Sequence, residues 1–408
     1  MDPDPGRRRV GSRNILPLTP PERHTLTRVP LAIPNIGARE AELMNEAISS
    51  GFVSSVGKFV IEFENRFAEY VGARHAVACA SGTAALHIAM RLANIQPGDM
   101  VAVSDFTFMA SSNAASYQFA ELLLVDSEAE SWCMDVDLLR KELERRAAAG
   151  EKLPKAIEIV HILGQPANVA AAVELAREYG IIVIEDAAEA LGATWTSGPL
   201  AGRHVGTVGD MGAFSFNGNK IMTTGGGGMF TTDDEDLARR AKHLSTQARL
   251  PDRGYLHDDI GFNYRLTNIA AALGVAQLER LDDFVAAKRA VAERYNIAFA
   301  RTAIQTPPTL PGQESTYWLY SIQVPADRGP AARDELQDFL EEAGIESRSL
   351  WRPLHMQQPL KDEPVVGGVV GEDLFARGLS LPCSTELTEA DQQRVIDRVH
   401  EWLQLECN

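Results

Sequence analysis

Three reactive side chains stand out by where the sequence places them. Lys220 lies within Gly209–Phe230, GDMGAFSFNGNKIMTTGGGGMF, after the alternating run Ala213–Phe216 and before Thr223-Thr224 and the glycines Gly225 to Gly228. The alternation reads as a short strand and the glycines as irregular backbone, so this lysine is expected on a tight connection and not on a solvated helix face. Most lysines are solvated surface residues, but one on such a turn can serve as an amine nucleophile toward a carbonyl. Asp186 ends the apolar run of IIVIEDAAEALG. A carboxylate there is poorly solvated unless it meets a donor or a cation, so it either caps the next helix or faces a protonated nitrogen of a ligand. Glu189, three residues on, is expected on the same helical face.

Further positions add binding chemistry. Ser81-Gly82-Thr83 follows the candidate strand Ala76–Ala80 and opens a helix, where free N–H groups and the positive dipole end suit a phosphate. Ser and Thr are also the commonest helix caps, and that plainer role fits equally. Phe108, in SDFTFMAS, sits on a strand-to-helix turn, where it could stack on a flat ring or belong to the core. The loop GFVSSVGK at Gly51–Lys58, with Ser54 and Lys58, reads as an anion cradle or a surface turn. His161, at a strand end, and His355, in WRPLHMQQP, are read as lining the same pocket. A phosphate cradle, a poorly solvated carboxylate, an aromatic face and a lysine on a tight loop together describe a pocket for pyridoxal phosphate. The lysine would form the Schiff base, and the carboxylate would keep the pyridine nitrogen protonated.

The elements that must position these groups alternate. Strands are expected at Met100–Ser104, Leu122–Asp126, Ala156–Ile162 and Ile181–Glu185, and helices near Ser111–Phe119 and over Val169–Tyr179. The helix after Ser81 carries Ala85, Ile88, Ala89 and Leu92 on one face. Such alternation predicts an α/β unit with a mostly parallel sheet covered by helices, whose ligands bind beyond the carboxyl ends of the strands. After Asn268 a helical region runs to about Ala300. The strand Tyr317–Val324, the helix Ala332–Ala343, the strand Ile345–Leu350 and a helix near Glu389–Leu403 follow. The expected division is a tail over 1–28, a large domain over 29–268 and a smaller α+β domain over 269–408.

The chain has 408 residues, 45% hydrophobic and 23% charged, enough for a large core. A net charge of −17 disfavours a nucleic-acid partner, so an anionic ligand must be held by local donors. Cys79, Cys133, Cys383 and Cys407 are scattered without CxxC spacing, as in a reducing compartment, and no apolar run reaches the roughly 20 residues of a membrane span. A cytoplasmic protein is expected. Gly206, Gly209 and Gly212 lack the lead-in strand and later acidic residue of a dinucleotide site, and Gly225–Gly228 lacks the Lys-Ser or Lys-Thr of a phosphate-binding P-loop. The histidines show no metal-ligand spacing, so no metal is expected.

From about Pro30 to its end the sequence resembles the DegT/DnrJ/EryC1/StrS family of pyridoxal-phosphate-dependent sugar aminotransferases, of fold type I. GFVSSVGKFV, SGTAALHIA, VIEDAAEALG, FSFNGNKIMTTGGGGM and GFNYRLTNIAAALGVAQLE carry the likeness. FNGNKI, TTGGGGM and Glu189, where many relatives carry Gln or His, are most similar to the branch that aminates UDP-linked 4-keto-6-deoxy-N-acetylhexosamines, as in bacillosamine and legionaminic acid pathways. The resemblance implies that Lys220 is the Schiff-base lysine and Asp186 the partner of the pyridine nitrogen, with Glu189 at the ring hydroxyl and Phe108 over the ring. It implies that Gly82, Thr83 and Ser215 hold the phosphate, and that Asn263 reaches the same phosphate from a neighbouring subunit in a homodimer. An ionised Glu189 would repel the ring oxygen, so the two are expected to share a proton. L-Glutamate is the implied amino donor and a UDP-sugar, aminated at C4, the acceptor. Alternatives are 3-amination of a dTDP- or GDP-linked keto sugar, or a regulatory protein that binds the cofactor without catalysis. A dehydratase relative would carry histidine in place of Lys220.

Overall fold

The structure, a computed structural model, describes residues 28–251 and 254–405. The tail read over 1–28 lies outside the described residues, save for Arg28.

Eight strands form the central sheet: β1 (His75–Cys79), β2 (Met100–Ser104), β3 (Glu121–Val125), β4 (Ala156–Val160), β5 (Ile182–Asp186), β6 (Met211–Ser215), β7 (Gly228–Thr232) and β8 (Val365–Val366). Their order is β1-β7-β6-β5-β4-β2-β3-β8. All pairings are parallel except the two made by β7, which runs antiparallel to both β1 and β6. Successive residues face opposite layers: Ala102, Leu123, Ile157 and Val183 join one apolar cluster, and Val101, Leu122, Ala156 and Ile184 join another. Both faces are therefore packed, which is why these strands read as continuous apolar runs. The helix α3 (Gly82–Leu92) buries Ala85, Ile88, Ala89 and Leu92, and the Ser81 hydroxyl caps it by accepting from the Ala84 N–H at 3.0 Å.

The glycine run is not wholly irregular, as the sequence had suggested. Gly228 opens β7, and a Cβ there would come within 2.4 Å of the Ser81 backbone. A glycine is needed because the strand passes directly against the start of α3. Lys220 thus sits on the loop joining two antiparallel strands, β6 and β7. The loop read at Gly51–Lys58 ends one residue earlier, since Lys58 begins the helix Lys58–Val71, which buries Phe59, Val60, Phe63, Phe67 and Val71.

The helical region after Leu266 divides into Asn268–Leu278 and Leu281–Phe299. The first packs against the helices Ala38–Ser49 and Lys58–Val71. A smaller antiparallel sheet joins Tyr320–Gln323, Gly378–Leu381 and Arg348–Ser349. Between its strands the chain returns to the large sheet as β8, beside β3. The expected division at 268/269 falls at the first residue of Asn268–Leu278. No helix among the described residues is long and apolar enough to cross a membrane.

Candidate active site

A cavity of about 370 Å³ opens at the carboxyl ends of the parallel strands. Much of its lining comes from strand ends: Ser81, Gly82 and Thr83 follow β1, Phe108 follows β2, Asp186 ends β5 and Ser215 ends β6, with Lys220 on the next loop. Of the cofactor-site residues expected from sequence, seven line this one cavity: Gly82, Thr83, Phe108, Asp186, Glu189, Ser215 and Lys220. A Cβ at Gly82 would lie 2.8 Å from Ser215 Cβ, so only glycine allows β6 this close to the α3 N-terminus. Phe108 is 55% exposed and faces the cavity rather than the core.

The carboxylates are buried and supplied with donors. Asp186 accepts the Ser111 hydroxyl at 2.8 Å and the Ala188 N–H at 3.0 Å. Burial pushes its carboxyl up, against those two donors and the charge of Lys220. Glu189 accepts the Leu163 N–H at 2.8 Å on one oxygen and stands 3.8 Å from Lys220 Nζ with the other. Burial also raises Glu189, opposed first by the Lys220 charge. Asp186 and Glu189 do not share a helical face: the chain after β5 is a turn, which brings Glu189 back toward Lys220. Burial lowers the Lys220 amine below its usual range, with Glu189 and Asp186 acting against it. An amine of reduced basicity beside buried acids is suited to nucleophilic and proton-transfer work.

Several cavity residues were not among those expected from the sequence. Trp318, Arg348 and Trp351 come from the later part of the chain, and Asn217 and Asn219 flank the lysine loop. Asn219 Oδ1 is buried without a hydrogen-bond partner. An unpaired polar atom on a cavity wall calls for a polar ligand, and with the glycine-lined cradle and the lysine it fits pyridoxal phosphate.

Other expected residues lie elsewhere. His161 is not in the cavity: it is fully buried, and its Nδ1 accepts the Ala167 N–H at 2.9 Å. Its proton is therefore on Nε2, which donates to Glu185 at 2.9 Å. A strand-end histidine next to a buried glutamate has taken a structural partner. His355 does not line the cavity either, because Asp105 (2.6 Å) and Glu372 (3.1 Å) hold its two ring nitrogens. Lys58 pairs with Glu46, Ser54 is exposed and accepts the Asn268 N–H through its carbonyl, and Asn263 is exposed and bridges to Thr246. None of these three lines the cavity of its own chain.

The His355 clip predicts a pH effect on stability. Burial pulls the imidazole down, but the hydrogen bonds and charges of Asp105 and Glu372 together outweigh it and raise the group. A raised histidine stabilises fully below its unfolded value of about 6.5, and that contribution is lost as pH rises through the higher folded value. His355→Ala is expected to be less stable at pH 6 by about 1–3 kcal/mol, since it leaves the buried Asp105 carboxyl short of a donor, and to lack this pH-dependent loss. Thermal unfolding between about pH 6 and 8.5 checks both; equal pH slopes in the two proteins would exclude the clip.

Among known proteins, the sequence model of the DegT/DnrJ/EryC1/StrS aminotransferase family matches residues 34–400. The chain belongs to that family. It is 41% identical to EpsN of Bacillus subtilis (strain 168), named as a pyridoxal phosphate-dependent aminotransferase, over 91% of this chain and 94% of that one. It is 39% identical to the GDP-perosamine synthase of Caulobacter vibrioides, over 91% and 97% of the two chains. A crystal structure of a DegT DnrJ EryC1 StrS aminotransferase from Brucella abortus superposes with a TM-score of 0.83 at 32% identity, covering 90% of this chain and 96% of the other. The protein is a pyridoxal-phosphate-dependent sugar aminotransferase of fold type I.

Proposed function

We propose that the protein transfers the amino group of L-glutamate to C4 of a nucleotide-linked 4-keto-6-deoxy sugar in amino-sugar biosynthesis. The observation that carries this reading is the Lys220 amine set in one cavity with Asp186, Glu189 and the Gly82–Ser215 cradle. Pyridoxal phosphate, once bound, supplies the electron sink and carries the amino group between the two half-reactions. Lys220 acts as nucleophile and as the base that moves a proton at the reacting carbon, a task its lowered basicity suits. With the cofactor bound, Asp186 would hold the proton on the pyridine nitrogen, and Glu189, whose proton affinity burial raises, would share a proton with the ring hydroxyl. The α3 N-terminus with Thr83 and Ser215 would hold the phosphate.

Both substrates are anionic, and Arg348 is the one cation besides Lys220 among the described residues lining the cavity. We assign it to their carboxylate or phosphate charge. The homodimer belongs to the same reading, with Asn263 completing the phosphate site of the partner and Ser54 and Lys58 reaching the partner's substrate. Phe52, Val53, Val56 and Ile61, exposed beside Ser54 and Lys58, supply the apolar patch that such an interface needs. Buried free thiols at Cys79, Cys133 and Cys383 support the cytoplasm.

For the nucleotide, the motifs around Lys220 favour a UDP-linked 2-acetamido sugar. The likeness to GDP-perosamine synthases supports a GDP-linked sugar as the second reading. A half-reaction screen separates them: protein charged with L-glutamate is offered purified UDP-, GDP- and dTDP-linked keto sugars, and the visible spectrum is followed. Return of the original spectrum is expected fastest with the UDP sugar, with the new amine at C4 by NMR. A faster GDP sugar selects the second reading, and an amine at C3 overturns the assignment of position. Failure of every donor and acceptor would leave a regulatory cofactor-binding protein.

A further inference from the structure

Lys220 is held on one side by a residue to which no motif points. Its Nζ stands 3.7 Å from the centre of the Trp318 ring, while Glu189 Oε1 lies 3.8 Å from the same nitrogen. Trp318 is 1% exposed, and its indole N–H donates to the carbonyl of Asn219, the residue before the lysine, at 2.7 Å. The tryptophan is thus tied to the loop whose amine it covers.

The two groups flanking the amine are set by one junction between distant segments. Leu163 (φ 53°) and Tyr317 (φ 48°) both occupy the left-handed region without being glycine. Gly164 lies between them so tightly that a Cβ would approach the backbone nitrogens of Tyr317 and Trp318 to 2.9 Å. Its carbonyl accepts the Thr316 N–H at 3.1 Å and the Ser315 hydroxyl at 3.0 Å. On one side of this junction the Leu163 N–H fixes Glu189; on the other, the Tyr317 turn delivers Trp318. Backbone strain of this kind persists where the surroundings over-determine it, and it clusters at working sites.

We propose that Trp318 is a positioning residue of the reaction, whose indole face holds the Lys220 amine beside Glu189 whenever that amine is not bonded to the cofactor. The inference rests on Lys220 being the Schiff-base lysine. In each half-reaction the amine is released and must stay close enough to move a proton and to bond again. A second carboxylate would hold it as a fixed ammonium. An aromatic face attracts the ammonium more weakly and also accepts the N–H of the neutral amine, so either protonation state is retained. The charged groups around the amine are Glu189 and Asp186. Lys288 lies behind Trp318 and donates to its backbone carbonyl at 2.9 Å, and His161 accepts the Ala167 N–H on its Nδ1.

The test reads the lysine directly. In full-length protein freed of cofactor, Lys220 is acylated by an amine reagent as a function of pH and the modified peptide is quantified by mass. Trp318→Leu is expected to lower the proton affinity of the amine by about tenfold, and Trp318→Phe, which keeps a ring face, by under half of that shift on the pH scale. In the loaded enzyme, kcat should fall in Trp318→Leu with the KM for L-glutamate little changed. A folded Trp318→Leu protein that titrates like the parent overturns the proposal, as does a Trp318→Phe protein shifted as far as Trp318→Leu. Should Trp318→Leu not fold, protein grown with fluorinated tryptophan keeps the shape and depletes the ring face. A graded fall in proton affinity then supports the proposal, and an unchanged titration overturns it. Borohydride treatment of the loaded parent tests the underlying reading separately: cofactor not fixed on Lys220 would refute the Schiff-base lysine and leave the titration result standing by itself.

Discussion

Lys220→Ala is expected to abolish turnover, with a loss of about 10⁴-fold or more, because one substitution removes both the nucleophile and the proton carrier. The fold should survive. The contacts of Nζ among the described residues are the 3.8 Å approach to Glu189 and the Trp318 face, neither of which holds the loop together. The variant should still take up pyridoxal phosphate, since the cradle of Gly82, Thr83 and Ser215 is untouched, but borohydride should no longer fix it to the chain. Removing the ammonium also takes away part of what opposes burial at Glu189 and Asp186, the larger part at Glu189, so both carboxyls should rise further. The measurement is single-turnover kinetics with L-glutamate on a protein shown to be folded. Parent-like turnover by Lys220→Ala would sink the mechanism outright.

Why some of this site could be read in advance and some could not follows from how each residue is positioned. Asp186, Ser215 and Ser81-Gly82-Thr83 sit at strand ends, where period-two apolar runs meet small or polar residues, and that pattern is local. Lys220 is legible from the short strand before it and the glycines after it. Trp318, Arg348 and Trp351 reach the cavity only because the later part of the chain folds back over the strand ends, and no local spacing announces that. His161 was misplaced because a polar residue after an apolar strand looks the same whether it faces a ligand or, as here, the buried Glu185. His355 was misplaced because its partner Asp105 lies 250 positions earlier. The strand β7 went unseen because its first residue is the last of the glycine run, needed for contact with Ser81 and not for a turn. The helix Lys58–Val71 has a local signal, because Phe59, Phe63 and Phe67 recur every four residues.

Asp186→Asn is expected to lower turnover by about 10²-fold or more while leaving the fold intact, and the hydrogen bonds explain why the two effects separate. Asparagine keeps one carbonyl oxygen, which can still accept the Ala188 N–H now bonded at 3.0 Å. Ser111, which donates to the other oxygen at 2.8 Å, also lies 3.0 Å from the Thr107 hydroxyl, so it can rotate to accept from the new amide. Every local partner is thereby kept, and stability should change by under about 1 kcal/mol. What disappears is the negative charge, and with it the preference for a protonated pyridine nitrogen, a preorganised electrostatic contribution of the size stated. Ser111→Ala supplies the complementary test. It deletes a donor that holds the Asp186 carboxyl down against burial, so the carboxyl should ionise at higher pH and the acid side of the rate profile should move upward with it. In Asp186→Asn that limb should vanish. Near-parent rates in a folded Asp186→Asn protein, or a Ser111→Ala profile unmoved on its acid side, would reduce this carboxylate to a cap on the turn after β5, because a cap needs the oxygen atoms and not their charge.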